Sequence, residues 1–149
     1  MTRRMRLGVG AFKYIFISPL PNPIMKILLD TNFILTAVKQ KIDFERLANE
    51  LFDEPLEFLI PLEVTKELES LSTRLGEKTA DKEAAKLSLE IIEKFDEVPL
   101  GTEIVDNGIV KYAGQDKKVV IATLDRDLKK RFKNKILTIR GKNSLEIIQ

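Results

Sequence analysis

Two short, uninterrupted apolar runs, Ile27-Leu28-Leu29 and Val119-Val120-Ile121-Ala122, constrain the fold of this 149-residue chain more than any other feature. A strand with one face in water alternates apolar and polar residues. A run with no polar position is a strand buried on both faces, as in a parallel sheet covered by helices. Each run ends near a carboxylate: Asp30 follows the first directly, and Asp125 follows the second after Thr123-Leu124. In open α/β sheets ligands bind at that end of the strands. A carboxylate emerging there is costly to desolvate unless a metal or another cation pairs it. Asp30 would serve equally well as the N-cap of the next helix, so the meaning of either acid depends on what else arrives beside it.

Between these runs the pattern alternates helix and strand. Residues 33–39 read as a short helix. Residues 43–52 read as another, capped by Asp43, with Phe44, Leu47 and Leu51 on one side. Leu56 to Ile60 is a second strand, and Pro61 suits a helix start. The helix that follows carries Val64, Leu68, Leu71 and Leu75 as its apolar stripe, with Glu67 at the edge of that stripe and Gly76 as its breaker. Residues 79–95 form the longest periodic segment, with Ala84, Leu87, Ile91 and Phe95 on one side. Residues 96–100 are a weak strand, and Gly101-Thr102 turn into a helix reaching Ala113, with Gly114 as its stop. A short basic helix at 128–132 and a last strand at 136–139 complete the chain. The expected fold is a three-layer α/β/α sandwich around a mostly parallel, Rossmann-like sheet.

Composition narrows the chemistry. With 44% apolar and 32% charged residues the chain is one globular domain, large enough for a real core. Cysteine is absent, which excludes a disulfide framework and a Cys-ligated zinc. Histidine is absent too, so a Ser-His-Asp triad, a histidine base and a His-ligated zinc are excluded. Catalysis would have to come from carboxylates, hydroxyls, lysines or a bound metal. The many Lys and Glu, with no Cys and no Trp, suit a heat-adapted cytoplasmic protein.

Residues 1–24 differ from the rest. Arg3, Arg4, Arg6 and Lys13 stand there without an acid, which leaves residues 25–149 at about −2 of the overall +2. The segment imitates a secretory signal, but Lys13 interrupts its apolar part and no small-residue cleavage site follows. It is too short to span a bilayer. It reads as an extension from an upstream start, with Met25 opening the domain of residues 25–149; a membrane tether or a partner-binding arm is the alternative. Basic residues gather again late, from Lys129-Lys130-Arg131 through Lys133, Lys135, Arg140 and Lys142, and suit a polyanionic partner as well as a solvated helix face.

If the strands ending at Asp30 and Asp125 are neighbours where strand order reverses, both acids open into one crevice. Unpaired carboxylates so close repel, and one would have to protonate. A divalent cation removes that conflict, and oxygen-only ligands favour Mg²⁺ or Mn²⁺. Glu67 and Asp106 are further candidates because each sits on, or opens, a helix after a strand. Asp127 could join from the turn. Each has a plainer reading: Glu67 as an exposed helical acid, Asp106 as a cap in the turn-prone Asp106-Asn107-Gly108, and Asp127 as a first-turn acid favoured by the helix dipole.

In order and spacing, the motifs resemble those of the PIN-domain nucleases over essentially residues 25–149. They are Asp30-Thr31-Asn32 after a hydrophobic strand, Pro61…Val64-x-x-Glu67-Leu68, Asp106-x-x-Ile109-x-x-x-Ala113, and Thr123-x-Asp125 after a second hydrophobic strand. The insert from Arg74 to Phe95 looks like that of small archaeal PIN proteins. The resemblance implies that Asp30, Glu67, Asp106 and Asp125 ligate one or two Mg²⁺ or Mn²⁺ ions. It also implies that Asn32 and Thr123 orient those acids or the water, and that Asp127 assists. Gly108 departs from the pattern by weakening the helix that should present Asp106.

The activity implied is metal-dependent endoribonucleolytic cleavage of single-stranded RNA. The chain would be either a VapC-type toxin held by a small antitoxin, which its standalone length favours, or a ribosomal RNA processing nuclease. A homodimer is compatible with the apolar edge helices. A non-catalytic RNA-binding module is the alternative from another class, and the presence of all four acids argues against it. A haloacid-dehalogenase-type phosphatase would need an acid where Asn32 stands, and a phospho-receiver would need an acidic pair that is missing.

Overall fold

In a computed structural model, which describes residues 24–149, the chain forms one six-stranded sheet with the order β3-β2-β1-β4-β5-β6. The strands are β1 (Met25–Leu29), β2 (Leu56–Pro61), β3 (Asp96–Val98), β4 (Val120–Ala122), β5 (Ile136–Arg140) and β6 (Ser144–Ile148). All pairs are parallel except β5 with β6, which run antiparallel. The helices are α1 (Thr31–Lys39), α2 (Phe44–Leu51), α3 (Leu62–Thr73), α4 (Thr79–Ile92), α5 (Val105–Gln115) and α6 (Arg126–Lys129). The reading of residues 1–24 as an extension lies outside the described residues, Ile24 apart. Among the described residues no helix is long and apolar enough to cross a membrane.

The apolar runs produce three layers because successive strand residues point to opposite faces. Ile27 and Leu29 of β1 pack with Phe33, Phe44, Val64, Leu68 and Ala85, which belong to the helices α1 to α4. Leu28 points the other way, with Leu59 and Ile121, against Ile109 and Ala113 of α5 and Leu128 of α6. On the first face Phe33, Phe58 and Phe95 surround Phe44 with ring centroids 5.6 to 6.3 Å away, in edge-on contacts that fix the orientation of α2.

Several local expectations are corrected. The helix of Val64 and Leu68 ends at Thr73, so Leu75 falls outside the stripe and is 91% exposed. Gly76 follows with φ of 86° in the turn to α4 rather than breaking a helix. Helix α4 stops at Ile92; Phe95 reaches the core from the connection to β3, while Leu87 is about half exposed. Gly114 lies inside α5, which runs on to Gln115. The basic helix begins at Arg126, two residues early, because Asp125 caps it. β6 was not anticipated: it pairs with β5 after Gly141, whose φ of 65° makes the turn.

Candidate metal and active site

β1 and β4 are neighbours, and the order of strands reverses between them: the chain moves outward from β1 to β2 and β3, then resumes on the other side with β4. Leu29 pairs with Ala122 in that register, so the residues that come next, Asp30 and Thr123, leave the sheet side by side. The Asp30 N–H donates to the Ala122 carbonyl at 3.0 Å, carrying the pairing one residue past the strand.

Asp30 is 4% exposed and its carboxylate is held at both oxygens. Oδ1 accepts the Thr31 N–H at 2.8 Å, which caps α1, and Oδ2 accepts the Thr123 hydroxyl at 2.7 Å. One side chain therefore both caps α1 and stays buried where β1 ends. Burial pushes its pKa up to about 6 from the ordinary 3.8, and the nearby Asp106 and Glu67 carboxylates add to the rise. The Thr123 and Thr31 bonds pull in the opposite direction without cancelling it.

Asp30, Thr31, Asn32, Leu35, Glu67, Val105 and Asp106 line one open cavity of about 230 Å³. Three acids from three separate elements thus converge: Asp30 at the end of β1, Glu67 on α3 and Asp106 in the first turn of α5. Asp106 is not the cap of its helix. The N-cap is Ile104, without a side-chain bond, and Asp106-Asn107-Gly108 is helical rather than a turn. Gly108 is what permits this. A Cβ there would lie 2.6 Å from Leu100 Cβ and 2.7 Å from Thr102 Cγ2, so only glycine lets α5 sit close enough to its own leading loop.

Asp125 does not line the cavity. Its Oδ1 accepts the N–H groups of Asp127 (2.9 Å) and Leu128 (3.1 Å), capping α6. It stays linked to the site through Thr123, whose hydroxyl oxygen accepts the Asp125 N–H at 3.1 Å while donating to Asp30. Asn32 spans the same gap: its Oδ1 accepts the Leu124 N–H at 3.2 Å, fixing the loop after β4 against α1. Asp127 is exposed on the first turn of α6, away from the cavity.

One positioning contact escaped the motifs. Glu63, one turn before Glu67 on α3, accepts the N–H groups of Leu100 (3.0 Å) and Gly101 (3.2 Å). It ties the helix that carries Glu67 to the loop that launches Asp106. A carboxylate four residues before another on the same helix face was the available signal.

The lining fits a hard cation in its donor chemistry. Every polar group is an oxygen donor or an amide, and the acids repel one another as they stand. The hydroxyl of Thr31, a residue of the lining, is buried without a hydrogen-bond partner among the described residues. Among the described residues, no three acids are drawn close enough to form a cation cluster. They stand around the cavity, as mutually repelling carboxylates do.

Comparison with known proteins agrees with this architecture. A family model described as a PIN like domain matches residues 27–142. Ribonuclease VapC4 of Methanocaldococcus jannaschii is 30% identical over 125 residues, which cover 82% of this chain and 95% of that protein. Among solved structures, the PIN domain endonuclease Utp24 is similar with a TM-score of 0.66 and 26% identity, over 82% of this chain and 90% of that one.

Proposed function

The chain belongs to the PIN-domain family, and from that premise we propose that it is a divalent-metal-dependent endoribonuclease acting on single-stranded RNA, the toxin of a VapC-type pair restrained by a small antitoxin. The observation that carries the catalytic part is the convergence of Asp30, Glu67 and Asp106 on one cavity at the strand-order reversal. The toxin assignment is supported by the identity to ribonuclease VapC4 across nearly all of that protein.

Asp30, Glu67 and Asp106 would hold Mg²⁺ or Mn²⁺, and Asp125 would contribute from the cap of α6. Such an ion would supply Lewis acidity, lowering the pKa of a bound water and offsetting the charge that builds on the phosphate and the departing 3′-oxygen. The protein's own part is positioning. Thr123 fixes the rotamer of Asp30 and presents the Asp125 backbone, so one hydroxyl sets the spacing of two acids. Asn32 holds the loop after β4, and Glu63 holds the loop before α5. Leu35 and Val105 give the cavity an apolar border. Arg126 and Lys142 follow the ends of β4 and β5 on this side of the sheet and suit flanking phosphates.

A second reading keeps the chemistry and drops the antitoxin. In it the chain is an RNA-processing endonuclease, favoured by the structural likeness to the endonuclease Utp24. Labelled single-stranded RNA incubated with the protein and Mn²⁺, Mg²⁺ or chelator tests the shared chemistry. Metal-dependent internal cuts leaving 5′-phosphate and 3′-hydroxyl ends are expected. Cutting that survives chelation would overturn the proposal. Growth arrest on expression, relieved by a co-expressed neighbouring small protein, separates toxin from processing enzyme.

A further inference from the structure

The basic tract that reads as continuous in sequence is divided by the fold. Lys133 and Lys135 precede β5 and lie at the opposite end of the sheet from Asp30. They line a second cavity, of about 460 Å³, together with Lys26 near the start of β1 and Lys117 and Lys118 before β4. The length of β1, about 16 Å, separates this end from the acids. Five lysines from three separate segments therefore line one concavity, together with Glu54, Asp116 and the last residue, Gln149.

A solvated lysine face spreads its charges over a convex surface, whereas these five lysines line one concavity. Among the described residues none of these five ammonium groups has an ion pair or a hydrogen bond, as is true of every described lysine except Lys39, Lys94 and Lys129. Asp116, the acid nearest in sequence, turns its Oδ1 to the backbone N–H of Lys118 at 3.0 Å. The walls are also fixed relative to each other. Asn134, 4% exposed, donates through Nδ2 to the carbonyls of Asp116 (3.0 Å) and Val119 (2.9 Å). That clamp holds the Lys117-Lys118 loop against the segment carrying Lys133 and Lys135. Like charges converging in a concave wall reinforce one another's field and attract a multivalent anion. Lysine ammonium groups are compact donors suited to phosphate.

We propose that this cavity is a second, phosphate-binding site, remote from the acidic cavity, which takes the phosphodiester backbone of RNA or a small phosphorylated ligand. The proposal goes beyond the nuclease reading and can be tested without cleavage. In chelator, the full chain is titrated into a fluorescein-labelled single-stranded RNA over a range of salt and followed by anisotropy. In parallel, inorganic pyrophosphate binding is measured by calorimetry. The Lys133→Gln/Lys135→Gln variant is compared with Lys86→Gln/Lys111→Gln, which removes the same charge from exposed helix positions outside both cavities. Both variants should unfold like the parent, because all four side chains are exposed.

The cavity variant is expected to lose about 10-fold in RNA affinity and about 1.4 from the logarithmic salt slope, as two lost phosphate contacts require. The comparator should change about 2-fold or less. Loss of pyrophosphate binding alone would assign the site to a small phosphorylated ligand. Equal behaviour of the two variants towards both probes would overturn the proposal. Asp30→Asn protein that binds RNA normally but does not cut it would leave the phosphate site standing by itself.

Discussion

The Thr123 hydroxyl donates to Asp30 Oδ2 at 2.7 Å across 93 residues of sequence, and the same oxygen accepts the N–H of Asp125 at 3.1 Å. A single side chain thus couples the acid that ends β1 to the acid that caps α6. Thr123→Val keeps the shape and removes both bonds. It should destabilise the fold by about 1–2 kcal/mol in urea unfolding. Because the Thr123 bond lowers the Asp30 pKa, its loss should move the acid limb of the pH–rate profile to higher pH. Thr123→Ser should leave that limb in place.

Asp30 carries a cost in the metal-free fold. Its pKa is about 6 folded against an ordinary 3.8, so the folded state holds the proton more tightly. The contribution to stability is fully present below about pH 4 and is lost as pH rises through about 6. At neutral pH the ionised group costs about 3 kcal/mol. Asn in its place keeps an acceptor for the Thr31 N–H but turns a donor towards Thr123. In chelator, Asp30→Asn should therefore be more stable than the parent by about 1–2 kcal/mol near pH 7.5, and no more stable near pH 4. RNA cleavage should fall at least about 100-fold. A variant destabilised at both pH values would contradict this account of Asp30.

The strands that place the site were legible because burial on both faces leaves an unmistakable run, as at Ile27 to Leu29 and Val119 to Ala122. Asp30, Glu67 and Asp106 were legible as motif positions, and the fold brings them to one cavity. What sequence did not reveal depends on close approach in space. Gly108 reads as a helix weakness, yet it is required by Leu100 and Thr102, which approach it from the preceding loop. Glu63 looks like an ordinary first-turn acid, and its role comes from backbone N–H groups 37 and 38 residues away. Leu75 continued an apolar spacing that the helix had already abandoned at Thr73. β6 was hidden because Leu145, Ile147 and Ile148 are too few to show alternation before their partner strand is known.

Two glycines in α5 should respond oppositely to alanine. At Gly108 the new Cβ meets backbone-proximal atoms that cannot swing aside. Gly108→Ala should cost about 1–3 kcal/mol despite alanine's helix preference, and should reduce cleavage by displacing Asp106. At Gly114 nothing lies within 4 Å, and Gly114→Ala should stabilise by about 0.5–1 kcal/mol. Paired urea melts measure both.

Glu63→Gln retains one acceptor for the Leu100 and Gly101 N–H groups and loses the charge that strengthens both bonds. A stability loss of about 1–2 kcal/mol is expected. Glu63 does not line the cavity, so kcat should fall about 10-fold while KM for RNA changes little. An unchanged kcat would remove Glu63 from the positioning network.

The claim on which the rest depends is that Asp30, Glu67 and Asp106 share a divalent cation. Calorimetric titration of Mn²⁺ into the full chain, beside Asp30→Asn and Asp106→Asn, tests it without requiring the RNA target. The account predicts saturable binding near pH 7.5, weaker binding near pH 5 as Asp30 takes up its proton, and a loss of at least about 10-fold in either variant. Mn²⁺ affinity that is absent in the parent, or unchanged in both variants, would contradict it.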